Sequence, residues 1–507
     1  MNDTHPSIKW IERQKKKLGN WDNTLKEAFD YTIPQLDQTN IDTPGSRVDD
    51  LVFDSTAQRA MFEQAAQTQA DLVPPFEEWI DFDIPPSDEK LLSGKERGIV
   101  REALAEQRRV FHDAIDSSNF SARVTPAFLE CAIATGAILV PEGDDDQPFY
   151  IQPVKIRNII PGVGKDGRIV DIGRELKPYL DEIENTWPDA QWSPDTRKKI
   201  ADGKEGMIEL VETCLRNDRG TWDYKLVEKK DGHEVLARAY DVSPWVAFRS
   251  FAVADEIHGR GMALLNLGDI KTANKTTELA LRRATLDVLG MWQYDDDGYI
   301  NADNVIFEPL AMIPRASGSK GLENLVTPGN FNIAQINLAQ LRQNIREGLL
   351  NVQLPSLVGP TKTATEVAAN VDSAVTKQTP HMSSLYWEFV VPFVRRVRYI
   401  LRKRGIIDDI IVNDRRMRII PVSPLAKLAK RSQIANMDAA IARVVAFKPE
   451  LADLVYDLER YVADTGADLG MKRWTRTPEE RQEIKQAEAQ RAALMEQVAA
   501  AGESQAA

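Results

Sequence analysis

The chain has 507 residues, 43% of them hydrophobic and 28% charged, and a formal net charge of −13. That length sets a prior of about three domains, and the composition allows a sizeable core and argues against global disorder. The acidic balance argues against a sequence-reading DNA-binding protein, which carries a basic surface, but not against a protein that surrounds DNA without gripping it.

Cys131 and Cys214 are the only cysteines. Two thiols cannot make a four-thiolate zinc site, and no histidines stand at matching spacing. The stretch from Met1 to Pro6 has no basic n-region and no apolar run, so no signal peptide is expected. No segment approaches a membrane span, and the expectation is a chain that starts out in a cytoplasm.

In chain order, residues 7–32 read as a helix with Ile8, Ile11, Leu18, Trp21, Leu25 and Phe29 on its apolar stripe. Asp54-Ser55-Thr56 opens a second helix that Pro74-Pro75 stops. Residues 87–117 read as one long charged helix, and 127–140 as helix up to Gly136, then strand. From Phe149 to about Tyr240 the pattern is of short β runs (149–160, 167–172, 207–216, 224–227 and 235–240), with a helical insert at 173–201. After Gly259-Arg260-Gly261 the stripe Leu267, Ile270, Asn274, Thr277, Leu281, Ala284 and Val288 predicts a helix. Two of its seven members are polar, which points to packing between neighbours rather than into a private core. A β-type segment at 292–330, a helix around 333–349 and a loop at 351–363 follow. A long helical pattern then runs from about Thr363 to Arg404, with breaks or kinks expected at Pro380 and Pro392. Short strands are expected over 406–420, then helix over 424–469 and a charged helical tail. The fold class is α+β, helix-dominated.

The motifs of common chemistry fail on inspection. Gly162-Val163-Gly164-Lys165 suggests a phosphate-binding loop, but Ile159 and Asp166 stand where that motif needs Gly and Ser or Thr. A turn at Lys165-Asp166-Gly167 is the better reading. His112-Asp113 and Asp255-Glu256-Ile257-His258 read as solvated charges rather than as metal or acid/base sets. Asp295-Asp296-Asp297-Gly298 begins like a calcium loop but has Ile306 at the twelfth position, where Glu is needed. No catalytic residue, cofactor site or metal site is assigned.

The strings Tyr31-Thr32-Ile33-Pro34, Asp54-Ser55-Thr56-Ala57, Pro74-Pro75 with Trp79, Phe111-His112 with Ser117-Ser118-Asn119-Phe120, Thr135-Gly136-Ala137-Ile138-Leu139, Gly259-Arg260-Gly261, Leu267-Gly268-Asp269-Ile270 and Thr363-Ala364-Thr365-Glu366-Val367 occur in a specific order and spacing. In these the chain resembles the portal, or head-to-tail connector, proteins of short-tailed bacteriophages. One departure is Asn370, where family members often carry Arg, which puts any ion pair there in question.

The resemblance implies a homo-oligomeric ring, usually of twelve copies, with wing, stem, clip and crown regions around a central DNA channel. Residues 1–260 and 363–420 would form the wing, 261–290 and 331–350 the two stem helices, 291–330 the clip, 351–362 the tunnel loop, and 421–507 the crown and C-terminal tail. The ring would sit at one capsid vertex of the virion. It would be assembled in the host cytoplasm with major capsid and scaffolding proteins, and would dock the large terminase subunit and later a tail adaptor. Double-stranded DNA would pass without sequence specificity, and no membrane is involved. Thr361, Lys362, Thr363, Arg282 and Arg283 would lie at the tunnel loop or channel. Tyr294, Asp295, Asp296, Asp297, Arg315 and Lys320 would be clip contacts. Nine cations between residues 395 and 418, against Asp408, Asp409 and Asp414, form a basic patch. Of these, Arg395, Arg396, Arg398, Arg402, Lys403 and Arg404 are expected at a subunit interface, on surface salt bridges or on DNA. The alternatives are another structural virion protein without a channel, an enzyme using the His/Asp clusters, or a monomeric adaptor.

Overall fold

The structure is a computed structural model, described for residues 5–36, 52–89, 91–289, 292–293, 323–324, 331–350, 376–408 and most of 410–447, with scattered positions beyond. It divides into two units: 1–70, 109–360 and 377–410 form the larger, and 71–108, 361–376 and 411–507 the smaller.

In the larger unit the first predicted helix is two, Pro6–Leu18 and Trp21–Tyr31. The break falls at Gly19, whose φ of 57° lies in the left-handed region that ends helices. Pro6 occupies the first turn, and the His5 imidazole accepts a hydrogen bond from the Ser7 N–H.

The first helix lies on a five-stranded antiparallel meander of Ile159–Val163, Ile169–Leu176, Leu210–Arg216, Trp222–Glu228 and Glu234–Tyr240. Successive strand residues point to opposite faces. Val211 and Val227 therefore meet Ile8, Trp10 and Ile11 on one side, while Leu210 and Leu226 meet Leu180, Ile183 and Trp192 on the other. Only part of the predicted insert at 173–201 is helical. Strand Ile169–Leu176 takes its beginning, and the helices are the short Ile183–Thr186 and Pro194–Ala201. The turn at 164–168 joins the first two strands, as read from the sequence: the Gly164 N–H donates to the Arg168 carbonyl at 2.9 Å, and Gly167 takes a φ of 78°.

A second sheet has Thr135–Leu139 at its centre, between Gln152–Pro153 and Trp245–Arg249. The sequence reading missed Trp245–Arg249. Every residue of it is buried, so it lacks the polar/apolar alternation that marks a half-buried strand.

Beside this sheet, Phe128 and Phe248 both meet Phe389, with ring centroids 5.3 Å and 4.7 Å away. Phe120 stacks on Phe393 at 4.7 Å. These rings join helix Phe120–Ile133, strand Trp245–Arg249 and the helical stretch that carries Phe389 and Phe393. That helix passes through Pro392 without a break. A π-turn, Tyr386–Val390, precedes helix Val391–Lys403, and the Val391 N–H bonds to the Tyr386 carbonyl five residues back. The widened turn absorbs the N–H that proline lacks and makes room for its ring.

Two helices, Leu267–Leu289 and Phe331–Gly348, pack against each other. They run antiparallel: Gly348 closes on Asn266 at one end, while Trp292–Gln293 pairs with Glu323–Asn324 beyond the other.

In the smaller unit, Ile80–Asp83 pairs antiparallel with Arg418–Pro421, and helix Pro424–Phe447 follows. Ile411–Val412 and Arg415–Arg416 form a short ladder, matching the expectation of strands over 406–420. The expected single helix over 87–117 is a short Pro86–Glu89 and a long Gly94–Asp116, at whose residue 109 the chain passes to the larger unit. The restart is a capping box. The Ser93 hydroxyl accepts from the Glu96 N–H at 3.3 Å, and the Glu96 carboxylate accepts from the Ser93 N–H at 2.9 Å.

Candidate functional site

The helix pair is tied down at one place. Asp54 is buried, and its Oδ1 accepts from the Thr56 N–H at 2.8 Å, capping helix Thr56–Leu72. Its Oδ2 accepts from the Thr277 hydroxyl at 3.1 Å and from Arg342 Nε at 2.9 Å, one partner from each helix of the pair. Asn274 Oδ1 accepts from the N–H groups of Phe53 and Asp54 at 2.7 and 3.0 Å. Burial pushes the Asp54 pKa up, but the Thr56 hydrogen bonds and the Arg342 guanidinium outweigh it and hold the carboxyl below its usual value.

Polar Asn274 and Thr277 therefore find their partners within their own chain. This corrects the expectation that the polar members of the stripe wait for a neighbour. The helix splits lengthwise: Ile270 and Ala273 are buried, whereas Leu279 and Leu281 are more than half exposed. Arg282 lies on the exposed part, 2.6 Å from Glu278, and Arg283 beside it is half-buried.

Gly259-Arg260-Gly261 leads into the pair. The Gly261 N–H donates to the Ile133 carbonyl at 2.9 Å, and a Cβ there would lie 2.2 Å from the Ala132 carbonyl oxygen. A Cβ at Gly259 would meet the Arg249 Cβ at 2.6 Å. Both glycines are required by close backbone packing. Between them Arg260 forks onto Glu256 and lies over Trp21, 5.6 Å from the ring centroid.

The basic patch is mostly an internal clamp. Arg396 is 1% exposed and is not a surface cation. Its guanidinium donates to the carbonyls of Val140 and Val242 at 3.1 and 3.2 Å, and lies over the rings of Tyr240 and Tyr399. Burial lowers its pKa, while Glu142 and the two tyrosines oppose that. Lys403 bridges both Glu142 oxygens at 3.0 and 2.8 Å. Arg404 donates to the Gly143 and Asp144 carbonyls and reaches Asp145 at 3.4 Å. The end of helix Val391–Lys403 thus grips the 140–146 turn, and cations at a helix C-terminus also suit the helix dipole. Arg402 lies over Tyr399, Arg398 is half-buried and Arg395 is exposed. Thr361, Lys362, Thr363, Tyr294, Asp295, Asp296, Asp297, Arg315 and Lys320 lie outside the described residues, as do the loop 351–363 and Asn370.

Of the two His/Asp sets read from the sequence as solvated charges, Asp113 and Asp255 are exposed, but His112 and His258 are buried, contrary to that reading. His112 is buried against Phe111. His258 is buried, with Nδ1 3.0 Å from the Thr135 hydroxyl and its ring edge-on to Trp21. Burial, helped by the Arg249 charge, pushes its pKa down to about 4. Burial alone does the same to His381. Both cysteines are buried thiols with pKa values pushed up to about 12, which makes them poor nucleophiles at neutral pH. Among the described residues no cluster of three or more His, Cys, Asp or Glu is placed to hold a metal, and no helix is long and apolar enough to cross a membrane.

The buried charges at these places hold segments of the chain together. The chain belongs to the family of bacteriophage head to tail connecting proteins, whose model matches residues 7–473. It is a phage structural connector and a virion component that assembles with other phage structural proteins, not an enzyme. No curated protein matches the sequence. A chain of the solved virion of a native gene transfer agent particle is similar over 76% of this chain and 86% of its own, at 12% identity and a TM-score of 0.30. That likeness is too weak to carry an argument.

Proposed function

We propose that copies of this chain close into a ring at one capsid vertex, with a central channel through which double-stranded DNA is packaged and later ejected. The reading rests on the antiparallel pair Leu267–Leu289 and Phe331–Gly348, tethered through Asp54 on one stretch and carrying half-exposed Leu279 and Leu281 on another. Leucines exposed on a helix of this length find cover against sister copies, and contacts repeated head to tail generate a ring when the rotation closes.

In this reading the pair is the stem, 291–330 the clip that docks the large terminase subunit and then the tail adaptor, 351–362 the tunnel loop, and 421–507 the crown. Arg282, Arg283, Thr361, Lys362 and Thr363 line or approach the channel. Each phosphate neutralised by a cation adds affinity and slows release. With −13 per chain the wall is largely acidic and lets DNA slide.

Negative-stain imaging of the purified protein tests the proposal, alongside light scattering. A ring with an open centre and a mass many times the 56.9 kDa chain is expected; a monomer at all concentrations overturns it. Tight retention of duplex DNA by the isolated ring at about 150 mM salt overturns the sliding wall alone.

A further inference from the structure

Between the two sheets of the larger unit lies a cleft of about 140 Å³, lined by residues from strands Ile169–Leu176, Leu210–Arg216, Trp222–Glu228 and Trp245–Arg249 and from the π-turned helix. Its walls hold Arg168, Arg216, Trp222 and Trp245. Arg216 lies over Trp222, with its guanidinium carbon 5.4 Å from the ring centroid. Arg168 lies over the half-exposed Trp387, next to the lining residue Glu388, at 5.0 Å. Arg174, behind the wall, lies over buried Trp245 at 5.0 Å and is paired with Glu212. Exposed Arg395 is a further wall residue. The one carboxylate lining the cleft, Glu388, is already held by Arg249. Arg168 pairs with Asp166. Arg216 has Asp171 nearby, which accepts its backbone N–H at 2.7 Å, but its guanidinium closes no ion pair among the described residues. The indole N–H of Trp245, in the same wall, is buried without an acceptor among the described residues.

We propose that this cleft binds a carboxylate side chain on an acidic segment of another polypeptide. Charge complementarity selects an anion, because the lining cations outnumber the lining carboxylate. Stacking on the indoles holds the guanidiniums in place before any ligand arrives, so less side-chain entropy is lost on binding. The fork of a guanidinium matches the two oxygens of a carboxylate. A nucleic acid is the poorer fit. Arginine already covers one face of Trp222 in the wall and of Trp387 beside it, the kind of surface on which a base would stack. Tryptophan and arginine side by side at the rim of a partly buried pocket are also the usual composition of an interface hot spot.

The test uses the full-length protein and two labelled probes, an amidated tetraglutamate and a tetrathymidylate, titrated at low salt with a photocrosslinking group on each. Tetraglutamate is expected to bind saturably and to crosslink within 168–172, 216–222, 242–247 or 387–395. Arg216→Glu should weaken that binding by about tenfold or more, the scale of one charge-assisted hydrogen bond. Arg168→Glu serves as an independent second site, and circular dichroism confirms that both variants are folded. Three outcomes overturn the proposal. One is tetraglutamate binding that both variants leave unchanged. Another is tetrathymidylate binding as tightly at the same residues. The third is a change in oligomer mass in Arg216→Glu without tetraglutamate binding to the parent protein, which assigns the cleft to a sister copy.

Discussion

Arg249 and Glu388 stand 139 residues apart in the chain and meet in an ion pair closed to solvent, with Nη2 2.6 Å from Oε1 and Nε 3.1 Å from Oε2. The same carboxylate accepts the Arg249 backbone N–H at 3.0 Å, and the guanidinium also donates to the Gly167 carbonyl at 2.6 Å. The pair fastens the π-turn to strand Trp245–Arg249 of the second sheet. Removing one partner strands the other charge in the interior, so Glu388→Ala is expected to cost about 3–5 kcal/mol. Replacing both with apolar residues, Arg249→Met with Glu388→Leu, should recover most of that loss. Urea unfolding of the two variants checks it, and equal losses would contradict the account.

The glycines of the 259–261 string make a sharper comparison. Gly261→Ala places a methyl 2.2 Å from a helix carbonyl oxygen, which rigid backbone on both sides cannot relieve. A loss of about 1–3 kcal/mol, or more, is expected. At Gly268, in the first turn of helix Leu267–Leu289, a Cβ meets nothing within 4 Å. Gly268→Ala should therefore be neutral or stabilise by up to about 1 kcal/mol. Thermal unfolding of both variants tests the opposite signs.

Asp54→Ala removes a helix cap and the ion pair to Arg342 together. We expect a loss of about 1–3 kcal/mol and faster amide exchange around residues 270–277. Asp54→Asn should retain a side-chain oxygen for the Thr56 N–H and lose less. Exchange that rises uniformly across the chain would deny Asp54 a local role in holding the helix pair.

Acid sensitivity follows from His258 and His381. Each has a folded pKa of about 4, below the ordinary value of 6.5, because burial favours the neutral ring. The unfolded chain binds these protons first as pH falls. Their stabilising effect is therefore complete above about 6.5 and lost progressively down to about 4, on the order of 3 kcal/mol per histidine. Asp54 contributes in a lower window, since its pKa is held below the ordinary 3.8. Melting temperatures should fall between pH 7 and 4.5 in the parent protein, and fall less in His258→Gln. Identical slopes in the two would remove His258 from the explanation.

Much of the local structure was legible because it depends on neighbours in sequence. Helix Leu267–Leu289 follows from its stripe, the Gly164–Arg168 turn from glycine and aspartate, and the end after Arg404 from the glycine that follows it, which takes a φ of 70°. The family resemblance was also legible, since it lives in ordered short strings such as Gly259-Arg260-Gly261. The split at Gly19, the restart at Ser93 and the unbroken passage through Pro392 were not. Each turns on a competition between local preference and packing that a pattern cannot weigh.

Composition and periodicity alone determined that this is an acidic, helix-rich α+β protein without the motifs of common catalysis. Tertiary structure alone decided what its charges do. Arg396, Arg249, Asn274 and the buried histidines look in sequence like surface groups, and the fold encloses all of them. The physical reason is distance along the chain. A buried charge is tolerable only where its partners converge, and the partners of Arg396 lie at Val140, Glu142 and Val242. No window of sequence spans such a separation, so whether an arginine is an anchor or a surface cation is settled only when the chain has folded back on itself.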